Sequence, residues 1–152
     1  MALYHFSVRH VSRGKGQMVV ASAAYISGQR IYDGYYNKIH DYTSKSGVVF
    51  TEILTPEYVP ERMTDREILW NEVEHVERNN KAQLAYSFDI ALQNELTLEE
   101  NIRLAKEFCQ EQFVARGMIV DLAVHEGKSD NEEEFVKKVQ SCADIARRDR
   151  EM

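Results

Sequence analysis

The stretch LAYSFDIAL, residues 84–92, decides the fold, because apolar and polar side chains alternate along it. Phe88 and Ile90 lie on one face of such a segment, and Ser87 and Asp89 lie on the other. A period of two residues is typical of a strand that has one face covered by a core. The stretch therefore predicts a strand with an apolar face and a polar face.

Residues 3–10 and residues 118–125 show the same alternation, so the sequence predicts three strands of one sheet. We expect helices on the apolar faces, and polar side chains together on the opposite face. A carboxylate beside an imidazole is the usual support of a metal ligand or of a general base. A solvated sheet face is the alternative interpretation. The polar side chains concerned are His5, Ser7, Asp89, Asp121 and His125.

Three helices are predicted between and beside these strands. The alanine-rich residues 17–30 predict a helix that carries Tyr25 among small residues. Capping boxes at residues 64–67 and residues 97–100 predict the starts of two further helices. The first of these runs to about residue 80, and Gly117 ends the second.

The remaining segments give weaker patterns. Residues 31–47 are rich in Tyr, Asp, Asn, Ser and Gly, which predicts a long aromatic loop, and residues 48–54 predict a short strand. A last amphipathic helix is indicated by the spacing of Phe135, Val139, Cys142 and Ala146.

Together these elements predict an α+β fold, in which helices pack on one face of an antiparallel sheet that stops after the third core strand. We divide the chain into an incomplete domain at residues 1–131 and a helical tail at residues 132–152. An open sheet edge invites association. We therefore expect either the tail helix or a second copy of the chain, in a homodimer, to cover that edge.

The composition is that of a globular domain. The 152 residues are 43% apolar and 29% charged, which excludes collagen, a coiled coil and wholesale disorder. The longest mostly apolar stretch, residues 18–26, is too short for a membrane span, and His5, Arg9 and His10 lie where a signal peptide has its apolar centre. We therefore expect a cytoplasmic protein without membrane contact. Cys109 and Cys142 have no metal-ligand spacing and are interpreted as buried free thiols.

Charge is distributed unevenly along the chain. Residues 1–50 hold six basic and two acidic residues, a net charge of +4, whereas the whole chain has a net charge of -6. Residues 51–152 therefore have a net charge of -10. A basic segment on an acidic scaffold is typical of a protein that binds a polyanion, although a solvated face gives the same count.

Several motifs resemble, in order and spacing, the opening of the MobA/MobL plasmid-mobilisation relaxases, which are HUH-type nicking enzymes. The similarity extends from residue 1 to about residue 131. The matching segments are ALYHFS at 2–7, SRGKGQ at 12–17, ASAAYISG at 21–28, HDYTSKSGVV at 40–49, DRE at 65–67 with LWN at 69–71, AL at 91–92 with ELT at 95–97, and DLAVH at 121–125.

The resemblance implies single-strand nicking of origin-of-transfer DNA by transesterification, with Tyr25 as the nucleophile. It also implies a divalent metal, Mg²⁺ or Mn²⁺, held by three histidines, of which His125 matches the first. Asp89 matches an acidic catalytic position, and we expect Asp121 and His5 to support the ligands. An accessory mobilisation protein is a further expected partner. The residues expected to contact DNA are Arg9, Arg13, Lys15, Arg30, Tyr42 and Lys45.

The chain departs from the family after His125. The family continues into Asn-Pro-His-x-His, which supplies the other two metal ligands, but here Asn131 is followed by Glu132 and no later histidine occurs. Two of the three ligands are missing, so we expect weak or absent metal binding and impaired nicking.

Three interpretations of this departure stay open. The chain is a shortened piece without the ligand strand, or a degenerate form that keeps the DNA surface and lacks efficient cleavage. The third is a non-catalytic interaction or DNA-binding domain whose acidic C-terminal part and tail helix contact protein partners. Whether this chain is an enzyme is left undecided by the sequence.

Overall fold

The computed structural model describes residues 6–128 and 135–143. Three helices and seven strands follow one another along these residues, which confirms the α+β class. In chain order the elements are β1 (Phe6–Ser12), α1 (Val19–Ser27), β2 (Arg30–Asp33), β3 (Lys38–Asp41), β4 (Val48–Leu54), α2 (Arg66–Val76), β5 (Gln83–Ala91), α3 (Leu98–Gln112), β6 (Val120–Lys128) and β7 (Phe135–Ala143).

The main sheet has five antiparallel strands in the order β1-β5-β7-β6-β4. The three strands predicted from alternation are β1, β5 and β6, and they do share this sheet. Strand β7 separates β5 from β6, so Asp89 and Asp121 lie on strands that are not neighbours. His5 lies outside the described residues.

Strand β7 corrects the prediction of a helix that starts at Phe135. Its backbone pairs with β5 on one side and with β6 on the other, so Val139 is in register with both Ile90 and Val124. Hydrogen bonding along both edges outweighs the weak helical spacing of residues 135–143. The sheet edges are consequently β1 and β4. The division of the chain after residue 131 stays a prediction.

Helices pack on both faces of the sheet, which corrects the expectation of one covered face. On one face, a cluster around α3 contains Phe88, Leu122 and Val124. On the other face, α1 and α2 form a second cluster with Ala85 and Ala123 of the sheet. Alternation along β6 sends neighbouring residues to opposite faces, and each of these faces meets a helix. The predicted polar face is therefore covered in part, since Asp121 is buried whereas Ser7, Asp89 and His125 are partly exposed.

Strands β2 and β3 form a hairpin where a long loop was predicted. Asn71 of α2 braces this hairpin, since its Nδ2 donates to the Tyr32 carbonyl at 2.8 Å and its Oδ1 accepts from Gly34 N at 2.7 Å. Inside the hairpin, Asp33 Oδ2 lies 3.0 Å from His40 Nε2, and both side chains are buried. The hairpin is thus an ordered part of the α2 side.

The helix starts agree in part with the predicted capping boxes. Thr97 and Glu100 form the predicted reciprocal box at the start of α3. The box predicted at residues 64–67 is wrong, because Asp65 caps α2 by accepting from Ile68 N. The hydroxyl of Thr64 instead donates to the Glu61 carbonyl. Among the described residues, we find no helix with the length and apolar character of a membrane span.

Candidate active-site cleft around Tyr25

Tyr25 lies in the last turn of α1 and points its ring toward solvent, with 48% of the residue exposed. Small residues before it in α1 keep the helix close to the sheet, and Ala23 and Ala24 are fully buried. The Tyr42 ring meets the Tyr25 ring edge-on, with centroids 5.3 Å apart and an interplanar angle of 90°. A nucleophilic tyrosine needs such an accessible phenol on a fixed backbone.

An open cleft of about 460 Å³ borders Tyr25 between α1, β1 and β5. Gly16, Ala21 and Ser22 form a wall of small residues, and Arg9 contributes a guanidinium from β1. The His10 ring lies on the opposite face of the sheet, against Tyr86. Low side-chain bulk allows a phosphate backbone to approach closely, and the guanidinium attracts its charge. The cleft has the size and chemistry to hold a nucleotide.

His125 of β6 lies beside the same end of α1. Its Nε2 is 2.6 Å from the Ile26 carbonyl oxygen. Because a carbonyl only accepts hydrogen bonds, Nε2 carries the proton of this contact. The geometry therefore brings His125 to the residue next to Tyr25, where it satisfies a carbonyl that the helix end leaves unpaired.

Asp121 does not lie in the cleft, which corrects its expected role beside His125. It is fully buried and accepts two hydrogen bonds from Arg66, at 2.7 and 2.8 Å, and one from the Trp70 indole at 2.8 Å. All three donors come from α2. Asp121 therefore fixes α2 on β6, and both of its carboxylate oxygens bond to α2 side chains rather than to His125.

Asp89 lies on the α1 side of β5, as alternation predicted. Its Oδ2 forms an ion pair with Arg9 Nη2 at 2.9 Å, and its side chain is 20% exposed. Its Oδ1 is buried and accepts no hydrogen bond from the described residues. A carboxylate oxygen in that state keeps the capacity to accept a proton.

Arg13 is a second correction, since it is buried rather than available to DNA. Its guanidinium donates to the carbonyls of Glu74, Glu77 and Asn79, and it pairs with the Glu74 carboxylate at 2.7 Å. Burial opposes the charged form, but the hydrogen bond and charge of Glu74 still hold the pKa of Arg13 above its ordinary value. Arg13 ties the loop after β1 to the end of α2.

The other expected DNA contacts divide into two groups. Arg9, Lys15 and Arg30 are exposed, and their charges face solvent near the cleft or the hairpin. Tyr42 and Lys45 instead turn onto the Tyr25 ring, and each is partly buried. Tyr42 also lines the cleft.

The described residues do not fit the family's divalent metal. No group of three His, Cys, Asp or Glu side chains in residues 6–128 is arranged to hold an ion. Asp121 is saturated by Arg66 and Trp70, and His125 already donates through Nε2. At the register position opposite His125, β7 has Lys138.

DRE at 65–67 and LWN at 69–71 resemble segments of the family, but the sequence alone predicted no role for the α2 residues that organise this region. Arg66, Trp70 and Asn71 all bond to other elements, and Glu74 receives Arg13. The helix was predicted from the spacing of its apolar residues, but its sequence also contains a tryptophan and three polar residues that later prove to be paired. Buried polar residues of this kind are almost always paired.

Comparison with known proteins identifies a family and several similar sequences. The family model described as "MobA/MobL family" matches residues 17–136. The chain is 38% identical over 136 residues to a conjugal transfer protein TraA of Rhizobium radiobacter, covering 83% of this chain and 12% of that protein. It is 33% identical over 137 residues to a mobilization protein MobL of Acidithiobacillus ferridurans, covering 90% of this chain and 35% of that protein.

A solved structure is also similar. It is described by the words "Molecular Basis of Vancomycin Resistance Transfer in Staphylococcus aureus", with a TM-score of 0.81 and 39% sequence identity. The match covers 93% of this chain and 70% of that chain. The chain spans about an eighth of the TraA relative and about a third of the MobL relative.

Proposed function

The chain belongs to the MobA/MobL family of mobilisation relaxases, and from this premise we propose that it binds single-stranded DNA in the cleft beside Tyr25. Membership implies DNA nicking in conjugative mobilisation for the family as a whole. The observation that carries the proposal for this chain is the exposed Tyr25 phenol at the border of a cleft that contains Arg9. Origin-of-transfer DNA is the corresponding substrate.

Tyr25 is the proposed nucleophile. Its oxygen attacks the phosphorus of a phosphodiester, forming a 5′-phosphotyrosine bond as the bond to the 3′-oxygen breaks. The phenol proton passes to a base, and the released 3′-oxygen takes up a proton. Asp89 is the candidate base, because its Oδ1 is buried without a described hydrogen-bond donor while Oδ2 is held by Arg9.

We further propose that this chain retains DNA binding and is impaired in strand cleavage. The cleft and its Arg9 guanidinium support binding, whereas the described residues do not fit the family's metal. Phosphate polarisation by a metal supplies several kcal/mol of transition-state stabilisation. The second candidate function is binding of a protein partner through the acidic part of the chain. If that is the only function, the chain should have no affinity for DNA.

Binding is tested by fluorescence anisotropy with a labelled single-stranded oligonucleotide over a salt series. Arg9→Ala with Lys15→Ala should weaken binding and lower the salt slope by about 1.4, since each phosphate contact contributes about 0.7. Arg103→Ala with Arg116→Ala removes the same charge from exposed positions on the α3 side and is the matched control. Equal slopes for the two double variants would contradict binding at the cleft.

Cleavage is tested by looking for a covalent protein–DNA adduct in the presence of Mn²⁺. We expect none from the chain as it stands. Lys138→His with Gln140→His adds two imidazoles at register positions opposite His125 and Asp89, and it should produce the adduct. Adding Tyr25→Phe should abolish it. An adduct formed by the unaltered chain and kept in Tyr25→Phe would overturn both the nucleophile and the impairment.

A further inference from the structure

We propose that Lys45 is a positioning residue for Tyr25, holding the nucleophile's ring through contacts within the protein instead of contacting DNA phosphates. This inference rests on the proposed function, in which Tyr25 attacks the phosphodiester. Its basis is the juxtaposition of the Lys45 ammonium with both the ring and the backbone of Tyr25. From its charge alone, Lys45 is predicted to be one of the DNA contacts.

Two contacts bind Lys45 to Tyr25. The ammonium nitrogen lies 3.6 Å from the centroid of the Tyr25 ring, well within the range of a cation–π contact. The same nitrogen donates a hydrogen bond to the Tyr25 carbonyl at 2.9 Å. One cation therefore touches the reactive side chain and its own backbone, which fixes the ring relative to the helix.

The carbonyl contact has a structural reason. The last carbonyls of a helix lack partners within the helix, and basic side chains commonly bond to them. At the end of α1, Lys45 takes the Tyr25 carbonyl and His125 takes the Ile26 carbonyl. Two distant segments thus anchor the turn that carries the nucleophile.

A short turn after β3 sets the position of Lys45. Asp41 Oδ1 accepts from both the amide and the hydroxyl of Thr43, at 2.9 and 2.6 Å. The Lys45 amide donates to the Tyr42 carbonyl at 3.0 Å, and the Tyr42 amide donates to the Gln29 carbonyl just after α1. The turn therefore presents Tyr42 and Lys45 together to Tyr25.

Tyr42 completes the arrangement from a second direction. Its ring lies perpendicular to the Tyr25 ring, a favoured geometry for two aromatic groups. With half of the Tyr25 residue exposed, few other contacts restrict the ring. Burial also lowers the pKa of Lys45, which agrees with an ammonium turned away from bulk water.

The first test is NMR spectroscopy of the DNA-free protein. Protons on the Lys45 ε-carbon should show an upfield ring-current shift that is lost in Tyr25→Leu. Lys45→Met keeps the length but removes charge and donors, so it should change the Tyr25 ring signals. Lys45→Arg should restore them, and the matched control Lys15→Met, at an exposed lysine, should leave them unchanged. Thermal melting checks that each variant is folded.

The second test is the salt dependence of single-stranded DNA binding. We expect Lys15→Met to lower the slope by about 0.7 and Lys45→Met to leave both the slope and, within twofold, the affinity unchanged. The inference would be overturned if Lys45→Met lowered the salt slope by about 0.7, or if the Tyr25 ring signals were the same in Lys45→Met and the wild type. If the wild type binds no DNA, the proposed function and the nucleophile role fail, while the NMR shifts still report the contact itself.

Discussion

One face of the main sheet packs against α3 and the other packs against α1 and α2, and different kinds of contact hold them. The α3 face is apolar, with Phe88, Leu122 and Cys109 in its cluster. The opposite face has an apolar cluster of its own and, in addition, buried charged groups, in which Asp121 binds Arg66 and Glu74 binds Arg13. Apolar burial has no direction, whereas charged hydrogen bonds fix geometry. On the face that carries Tyr25, directed bonds of α2 therefore act together with apolar burial of α1 and α2.

The largest expected effect comes from breaking the charged face at Asp121. In Asp121→Ala, Arg66 keeps a buried charge and Trp70 keeps a buried donor without their acceptor. Removing one partner of a buried ion pair typically costs about 3–5 kcal/mol of stability. Urea denaturation measures the loss. Asp121→Leu combined with Arg66→Leu should recover part of it, because no charge is then left unpaired.

A somewhat smaller loss is expected on the apolar face. Leu122 is fully buried beneath α3, and Leu122→Ala should lower the free energy of unfolding by about 3 kcal/mol through lost burial and the cavity left behind. The same substitution should leave the Tyr25 ring signals and DNA affinity unchanged. A shift of those signals as large as in Lys45→Met would show that the two faces are not separable.

The start of α3 provides a milder change on the same face. Thr97 accepts a hydrogen bond from Glu100 N, and Glu100 reaches back to Thr97 N. Thr97→Ala should cost about 1 kcal/mol of stability. Arg103→Ala, at an exposed position within the same helix, is the control and should change stability far less. Equal losses in both variants would mean that the cap contributes nothing particular.

The smallest expected effect concerns the reactivity of the Cys109 thiol, which depends on how far water reaches the apolar face. Burial raises the pKa of this thiol to about 12. At pH 8 a thiol of that pKa is about 10⁻⁴ ionised, so alkylation by iodoacetamide should be very slow in the folded protein. Peptide mapping by mass spectrometry measures the rate at Cys109, with the urea-unfolded chain as the reference. Similar rates in both states would show that water enters beneath α3.

The raised pKa also gives a sign to the dependence of stability on pH. Up to about pH 8 the thiol is neutral in both states, and its burial costs no ionisation energy. Above the ordinary thiol pKa the unfolded chain loses the proton first, so this group destabilises the fold increasingly until pH reaches about 12. The difference between wild type and Cys109→Ala in urea denaturation from pH 8 to 10 isolates this contribution.

Local pattern in the sequence was enough for several features. Alternation located β5 and β6, the Thr97 box located the start of α3, and the small residues around Tyr25 located α1. Each depends on neighbours within a few residues, where spacing alone determines which side chains share a face or a helix end. The order of motifs also indicated the family, which the comparisons show.

Only the tertiary structure decided what surrounds each face. Alternation put Asp121 and Asp89 on one side of the sheet, but α2 covers the first and the cleft opens near the second. Residues 135–143 match a helix by spacing, yet β5 and β6 supply hydrogen bonds on both edges and make them a strand. Likewise, charge alone could not separate Arg13, which is buried, and Lys45, which bonds to Tyr25, from Lys15 at the surface. The partners that settle these cases are distant in the chain, and burial and pairing depend on them rather than on local spacing.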